Sequence, residues 1–179
     1  MTGSDRVGAD DLSDLTSLCP PPEMPSLPSP CELPRLPQSH GALVDAYGTG
    51  CFDEFLWIFA AGADNANLDI EIATGAMRSI LDSKAAPDLR EALARHQSEP
   101  GDLIQWGTTD NGDPLLWIPD GDPADWPTVI IQAGQLEFIV SSRTSTGVVL
   151  DLLTRELQPP FFPEDFPSSR PVFSTNPYE

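Results

Sequence analysis

The amino-acid sequence predicts an α+β fold: one domain in which helices flank a largely antiparallel sheet. Two observations lead to this class. Helical patterns bracket a run of short apolar segments between residues 103 and 141, and turn residues such as Asn111-Gly112 separate these segments. The order helix, strand, helices, several strands and helix also lacks the alternation that builds a doubly wound sheet. With 179 residues, a single hydrophobic core is expected.

Residues 1–32 are predicted to be a proline-rich, disordered tether. The stretch CPPPEMPSLPSPCELPRLP occupies residues 19–37. Each proline removes a backbone donor and disfavours helix in the residue before it, so polyproline II or disorder is expected. An alternative is that this stretch docks into an aromatic-lined groove of a partner. Order is expected to begin at Leu33.

A short amphipathic helix should follow, with Ser39 as its N-cap and Gly48 as its stop, because four apolar side chains share one helical face: Leu36, Leu43, Val44 and Tyr47. The segment CFDEFLWIF at residues 51–59 is predicted as one central strand, since it has apolar side chains on both faces. Residues 63–97 then predict a broken helical layer. Asn65 or Asn67 can cap its first helix, and Pro87 can open the second.

Two hairpins and a closing helix are predicted in the second half. LIQWG and PLLWI flank Asn111-Gly112, a dipeptide favoured where both turn residues take positive φ. TVIIQ and LEFIV, at residues 128–132 and 136–140, form the second hairpin. Val149, Leu152, Leu153 and Leu157 line a helix capped by Ser145 or Thr146 and ended by Pro159-Pro160. The domain is therefore placed at residues 33–158, with a proline- and aromatic-rich tail at 159–179.

The charge balance limits the classes of partner. The chain carries 28 acidic and 9 basic residues, a formal net charge of -19 at pH 7. Such a surface repels nucleic-acid phosphates and anionic membranes, whereas a basic protein or a cation would be attracted. Acidic surfaces also serve solubility alone, and this alternative stays open. No signal-peptide or membrane-spanning pattern is present, and three cysteines without a Cys-x-x-Cys pair fit a cytoplasmic location.

Residues for catalysis or cofactor binding are sparse in the sequence. The two histidines, His40 and His96, belong to no recognisable catalytic motif, and Cys51 opens a predicted buried strand, where a thiol is inert. The aspartates between residues 110 and 125 fail the ligand spacing of a calcium loop. We therefore expect no enzymatic activity, no cofactor and no metal site.

Four tryptophans are the remaining candidates for a binding role. Trp57, Trp106 and Trp117 lie in predicted strands and are assigned to the core. Trp126 lies in the acidic loop DPADWP and is expected to be exposed. Together with Asp120, Asp122 and Asp125, it forms the predicted partner-binding set.

Several segments resemble actinobacterial members of the SUKH superfamily, the Smi/Knr-type domains. The strongest are YGTGCFDEFLWIF at residues 47–59 and WGTTDNGDPLLWI at 106–118, supported by LPQSHGALVDAYG at 36–48 and VVLDLLTREL at 148–157. His40 stands where the family usually has an aromatic residue. The resemblance covers most of residues 33–158.

This resemblance implies a curved sheet flanked by helices and a non-enzymatic function. Many members of the family are immunity proteins that bind and neutralise polymorphic toxins, often nucleases or deaminases. A cognate toxin domain is thus the expected partner. The alternative is a cellular adaptor or regulator that shares the fold and binds another protein through the proline-rich segment.

Overall fold

A computed structural model describes residues 3–30, 35–134 and 137–177. These residues form five α-helices and one seven-stranded sheet, which confirms the predicted α+β class. In chain order the elements are α1 (Gly3–Leu18), α2 (Gln38–Tyr47), β1 (Gly50–Phe52), β2 (Leu56–Ile58), α3 (Ile70–Lys84), α4 (Pro87–Ala94), β3 (Ile104–Thr109), β4 (Pro114–Trp117), β5 (Thr128–Ile131), β6 (Phe138–Ser141), α5 (Ser145–Thr154) and β7 (Phe173–Ser174).

The sheet is an antiparallel meander closed by a strand from the C-terminal tail. Its order is β6-β5-β4-β3-β2-β1-β7, and each neighbouring pair is antiparallel. The ring of Phe173 in β7 lies 5.1 Å from Tyr47 and 4.8 Å from Phe52, measured between ring centroids. The proline- and aromatic-rich tail at 159–177 is therefore anchored in the core and completes one edge of the sheet.

The segment 51–59 differs from its prediction. It is a hairpin of β1 and β2, so the prediction of one central strand is wrong. Asp53 and Glu54 form the turn at φ values of 50° and 55°, and the amide of Phe55 donates to the carbonyl of Phe52 at 3.0 Å. Left-handed φ values are tolerated by aspartate better than by most residues, and this acidic pair interrupts the apolar run at the point where the chain reverses.

The two helices between the hairpins lie within the predicted range 63–97, but other residues cap them. Helix α4 begins at Pro87, as predicted. Asp69 caps α3, accepting a hydrogen bond from the amide of Ile72 at 3.0 Å. Asn65 caps only a short 3-10 turn at residues 66–68. Ser39 does not cap α2, which starts directly after Pro37.

Both hairpins of the second half are confirmed, although the first turn has another geometry. Of Asn111-Gly112, only Gly112 has a positive φ, at 86°. The amide of Gly112 donates to Thr109 at 2.9 Å and that of Thr109 to Asp113 at 3.0 Å, which describes a three-residue loop ending in a left-handed glycine. The closing helix α5 is capped by Thr144 and ends at Thr154, before the prolines.

Between residues 3 and 30, the N-terminal region contradicts the prediction of a disordered tether, which covered residues 1–32. Residues 3–18 are helical, and α1 packs on α5. The side chains of Leu15 and Cys19 are fully buried. Arg143 joins the two helices, with Nη2 at 3.2 Å from Oδ1 of Asp11 and 3.1 Å from Oδ1 of Asp151. Helix α1 is thus part of the core.

The proline-rich stretch after α1 is docked along the domain. Ser26 forms a parallel bridge with Gly48, and the amide of Ser29 donates to the carbonyl of Gly62 at 3.0 Å. Gly48 has a φ of +72°, and a Cβ at this position would lie 2.6 Å from main-chain atoms of Ser26. Only glycine allows this approach. The predicted start of order at Leu33 lies outside the described residues.

The sheet separates two cores of unequal size. The larger core lies between one face of the sheet and helices α1, α2 and α5, and it includes Phe52, Leu56 and Ile58. The smaller lies on the opposite face, where helices α3 and α4 pack over Leu116 and Val129. Because successive residues of a strand point to opposite faces, β2 turns Trp57 toward the second face. The groove described below lies over this second face of the sheet.

Candidate functional site

His40 is a buried polar group in the larger core, between two tryptophan rings. Its ring centroid lies 5.7 Å from Trp106 and 4.9 Å from Trp117, both in edge-on geometry. Nε2 is 2.8 Å from the carbonyl oxygen of Phe59, and Nδ1 is 2.9 Å from Oγ of Ser145. A carbonyl can only accept, so Nε2 carries the proton and the Ser145 hydroxyl donates to Nδ1.

His40 and Ser145 share the kind of hydrogen bond that joins a catalytic base to a nucleophile, but neither side chain is accessible to a substrate. His40 is 3% exposed and Ser145 is 0% exposed. A substrate cannot reach the hydroxyl in this fold. The two side chains instead satisfy each other and connect α2 with α5 inside the core.

Burial lowers the pKa of His40 from 6.5 to about 4, against the opposing effect of its bond to Phe59. The unfolded chain therefore binds a proton at higher pH than the folded one. The contribution to stability is complete above pH 6.5 and is lost as the pH falls toward 4, by up to about 3 kcal/mol. We expect His40→Phe to flatten the loss of unfolding free energy between pH 7 and pH 4, measured by urea denaturation.

The comparison rests on the difference between the slopes of the parent and His40→Phe, because all other titratable side chains are the same in both proteins. His96→Gln is the matched control because it removes the other histidine and keeps His40. Equal slopes for the parent and His40→Phe would contradict a neutral buried His40.

The Cys51 thiol is held in its protonated form. Burial, followed by smaller contributions from Glu54, Asp110 and Asp53, raises its pKa to about 12, outweighing a main-chain hydrogen bond at Glu54. A thiolate is the nucleophilic form of cysteine, so this environment disfavours nucleophilic chemistry.

The predicted partner-binding aspartates lie together on the loop between β4 and β5. Asp120, Asp122 and Asp125 are exposed. Asp120 Oδ2 is 3.0 Å from Nδ1 of His96, and Asp122 caps a short 3-10 turn by accepting from the amide of Ala124 at 2.9 Å. These contacts order the loop.

Trp126, the fourth residue of the predicted set, is not exposed. It is 9% exposed, its ring centroid lies 6.2 Å from that of Trp117, and its Nε1 donates to the carbonyl of Gly121 at 3.2 Å. The prediction of an exposed ring is therefore wrong. The ring fills the end of the larger core, and the polar residues around it in the sequence gave no sign of this contact.

An open groove of about 610 Å³ lies over the second face of the sheet. Trp57, which the sequence assigned to the core, is half-buried: it packs against the larger hydrophobic cluster and also lines this groove together with Thr108. The two residues are cross-strand partners of β2 and β3. The groove has the size of sites that bind small molecules or peptide segments.

The other residues around the groove are mostly polar or acidic. They are Ser26, Thr49, Phe59, Asp64, Asn65, Asn67, Leu68, Thr109, Asp110, Thr175 and Asn176. Among the described residues, this lining contains two carboxylates and no lysine or arginine. Sequence reasoning missed the site because residues 51–59 were predicted as one central strand with Trp57 in the core. The acidic pair Asp53-Glu54 was the available signal that this segment is a hairpin.

A second cleft of about 660 Å³ lies beside the β1–β2 turn. Asp53 spans it: its Oδ1 accepts from the Ser168 hydroxyl at 3.1 Å and the Val172 amide at 2.9 Å, and its Oδ2 accepts from the Ser168 amide at 2.8 Å. These bonds fasten the C-terminal tail to the hairpin. The Asp53 carboxylate therefore has a structural role.

Within the described ranges, no cluster of three or more histidine, cysteine or acidic side chains is arranged to hold a metal ion. Nor does any helix of those ranges have the length and apolar character of a membrane span. Comparison with family models, curated proteins and solved structures found no match to the chain.

Proposed function

We propose that the chain is a non-enzymatic binding protein of the toxin-immunity type, which neutralises a toxin domain by forming a 1:1 complex. The observation that carries this proposal is the acidic groove on the sheet, with Trp57 within it and Asp64 and Asp110 on its border. Concave surfaces with an aromatic residue and converging polar groups are typical binding sites. The resemblance of residues 33–158 to SUKH immunity proteins supports the same function.

The overall charge favours a basic partner. A formal net charge of -19 attracts a cationic protein over long range and speeds its association. Nucleases and deaminases, which act on phosphate-rich substrates, often have basic binding surfaces. Neutralisation by occlusion of such a surface needs no catalytic group on this chain. A cytoplasmic location, in the cell that makes the toxin, belongs to the proposal.

A cellular adaptor is the second candidate, and the proline-rich segment favours it. Main-chain bonds of Ser26 and Ser29 fix this segment to the domain, while Met24 and Leu27 point outward with exposures of 86% and 52%. Exposed apolar side chains on an extended, proline-rich backbone are features that partner domains recognise.

The test is co-expression with the product of the gene adjacent to the one that encodes this chain. We expect co-purification at a 1:1 ratio, rescue of cell growth, and slower association as salt rises above physiological ionic strength. Met24→Ser with Leu27→Ser is the matched variant for the adaptor function and should leave the complex intact. Absence of both binding and rescue would contradict the proposal.

A further inference from the structure

Strand β6 is one edge of the seven-stranded sheet, and its outer side is open. The sheet order places β6 at the end, where it pairs only with β5. Within the described residues, no helix or other strand makes more than slight contact with it. Val140, inside the strand, is 42% exposed. An edge strand without a neighbour presents unpaired main-chain donors and acceptors, which can bind another strand.

The hydrogen bonds between β5 and β6 show which main-chain groups of β6 face the open edge. The amide of Gln132 donates to the carbonyl of Glu137 at 2.9 Å, so these two residues form a hydrogen-bonded pair at the end of the hairpin. Such pairs alternate with non-hydrogen-bonded pairs along antiparallel strands, and Phe138 and Val140 fall on the non-hydrogen-bonded positions of this register. Their N–H and C=O groups therefore point to the open edge, where no hydrogen bond to another described residue occupies them.

The side chains of β6 are apolar on both faces of the sheet. Phe138 packs on the smaller core and Ile139 on the larger. Val140 points to the same face as Phe138, because alternate residues of a strand share a face. Natural edge strands usually carry a charge, a proline or a bulge that prevents pairing. Residues 138–141 read Phe-Ile-Val-Ser in an unbroken register, so this edge has none of these protections.

A second copy of the chain complements this edge in one register. When two β6 strands lie antiparallel about a two-fold axis through Ile139, Phe138 of each copy faces Val140 of the other. The unpaired donors of one strand then meet the unpaired acceptors of the other. Phenyl and valine side chains meet on one face and the two Ile139 side chains on the other, and such pairs stabilise a sheet. No charged side chain of either strand enters the contact.

We propose that two copies of the chain associate through β6 and form one continuous sheet across a two-fold axis. A strand of 4 residues buries less than the roughly 1,200 Å² of stable interfaces, so the dimer is weak and depends on concentration. The net charge of -19 on each copy opposes the contact at long range. Salt screens this repulsion and should therefore promote the dimer. The proposed toxin complex has the opposite dependence on salt, and neither contact requires the other.

Sedimentation velocity of the full chain tests the dimer. We expect the average sedimentation coefficient to rise with protein concentration. The dimer should tighten several-fold when the ionic strength goes from about 0.1 M to about 1 M, because the Debye length falls from about 10 Å to about 3 Å. A monomer at every concentration and at both salt levels would overturn the proposal.

Two lysine substitutions separate the strand contact from overall charge. Val140→Lys places a charge inside the edge and should abolish the dependence on concentration. Ile80→Lys is the matched control, because Ile80 lies in α3, is 43% exposed, and gains the same charge. This control should keep the dimer or tighten it slightly, since it lowers the net negative charge of each copy. Equal effects of the two lysines would overturn β6 as the interface.

Val140→Pro tests the main-chain hydrogen bonds. It removes an N–H that faces the open edge and none that bonds to β5, so the variant should fold, as measured by circular dichroism and the urea midpoint, and remain monomeric. In the parent protein, amide exchange of Phe138 and Val140 should slow as the dimer forms. A folded Val140→Pro that dimerises like the parent, or unchanged exchange at both amides, would contradict strand pairing.

Discussion

A chain that begins at residue 20 should lose about 4 kcal/mol or more of unfolding free energy relative to the full chain. Helix α1 places Leu15 and Cys19 at 0% exposure, and its Asp11 pairs with Arg143 of the loop before α5. Removing it uncovers the apolar face of α5 and leaves Arg143 with Asp151 alone. Urea denaturation of the two chains measures the difference.

Alanine substitutions of two leucines in α1 distinguish the contribution of core packing from that of helix formation. Leu15→Ala should cost about 2–5 kcal/mol, because it opens a cavity in the core. Leu18→Ala is the matched control, since Leu18 is 38% exposed, and should cost less than about 1 kcal/mol. Similar midpoints for the truncated and full chains would show that α1 does not pack on α5.

Trp106→Ala should destabilise the protein by about 3–5 kcal/mol. The ring is 0% exposed and packs against both His40 and Trp117. Truncation to alanine leaves a large cavity beneath α2 and removes the edge-on contacts that hold the buried imidazole. The unfolding free energy of the variant at pH 7 measures this loss.

The matched variant is Trp106→Phe, which keeps an aromatic ring in the core. Nε1 of Trp106 has no hydrogen-bond partner among the described residues. Replacement by phenylalanine therefore reduces the volume of the side chain and breaks no hydrogen bond. The loss should stay below about 2 kcal/mol. Equal losses for alanine and phenylalanine would contradict close packing around this ring.

Local patterns predicted most of the β-sheet. The hairpins around Gly112 and Gly134 were predictable because turn residues and alternating apolar segments are short-range signals. The helix α1 was missed because its sequence is acidic and few of its apolar residues, such as Leu12 and Leu15, show helical spacing. Its stability depends on α5, more than a hundred residues away, and a local pattern does not contain that contact.

The candidate groove was hidden from the sequence for a related reason. The apolar run 51–59 suggested burial on both faces of one strand, yet the turn at Asp53-Glu54 divides it into two short strands that pair with each other. Trp57 thereby lines a groove, while Trp126, in a polar loop, enters the core. Exposure of these rings is set by tertiary packing, which residue type alone does not determine.

Hydrogen exchange of the chain, alone and with the product of the adjacent gene, tests the proposed interface most directly. We expect binding to slow amide exchange in residues 55–68 and 107–111, which contribute to the groove. The loop 119–126, with Asp120, Asp122 and Asp125, should exchange as in the free protein. Protection confined to that loop or to residues 20–30, with unchanged exchange along β2, would contradict binding through the sheet groove.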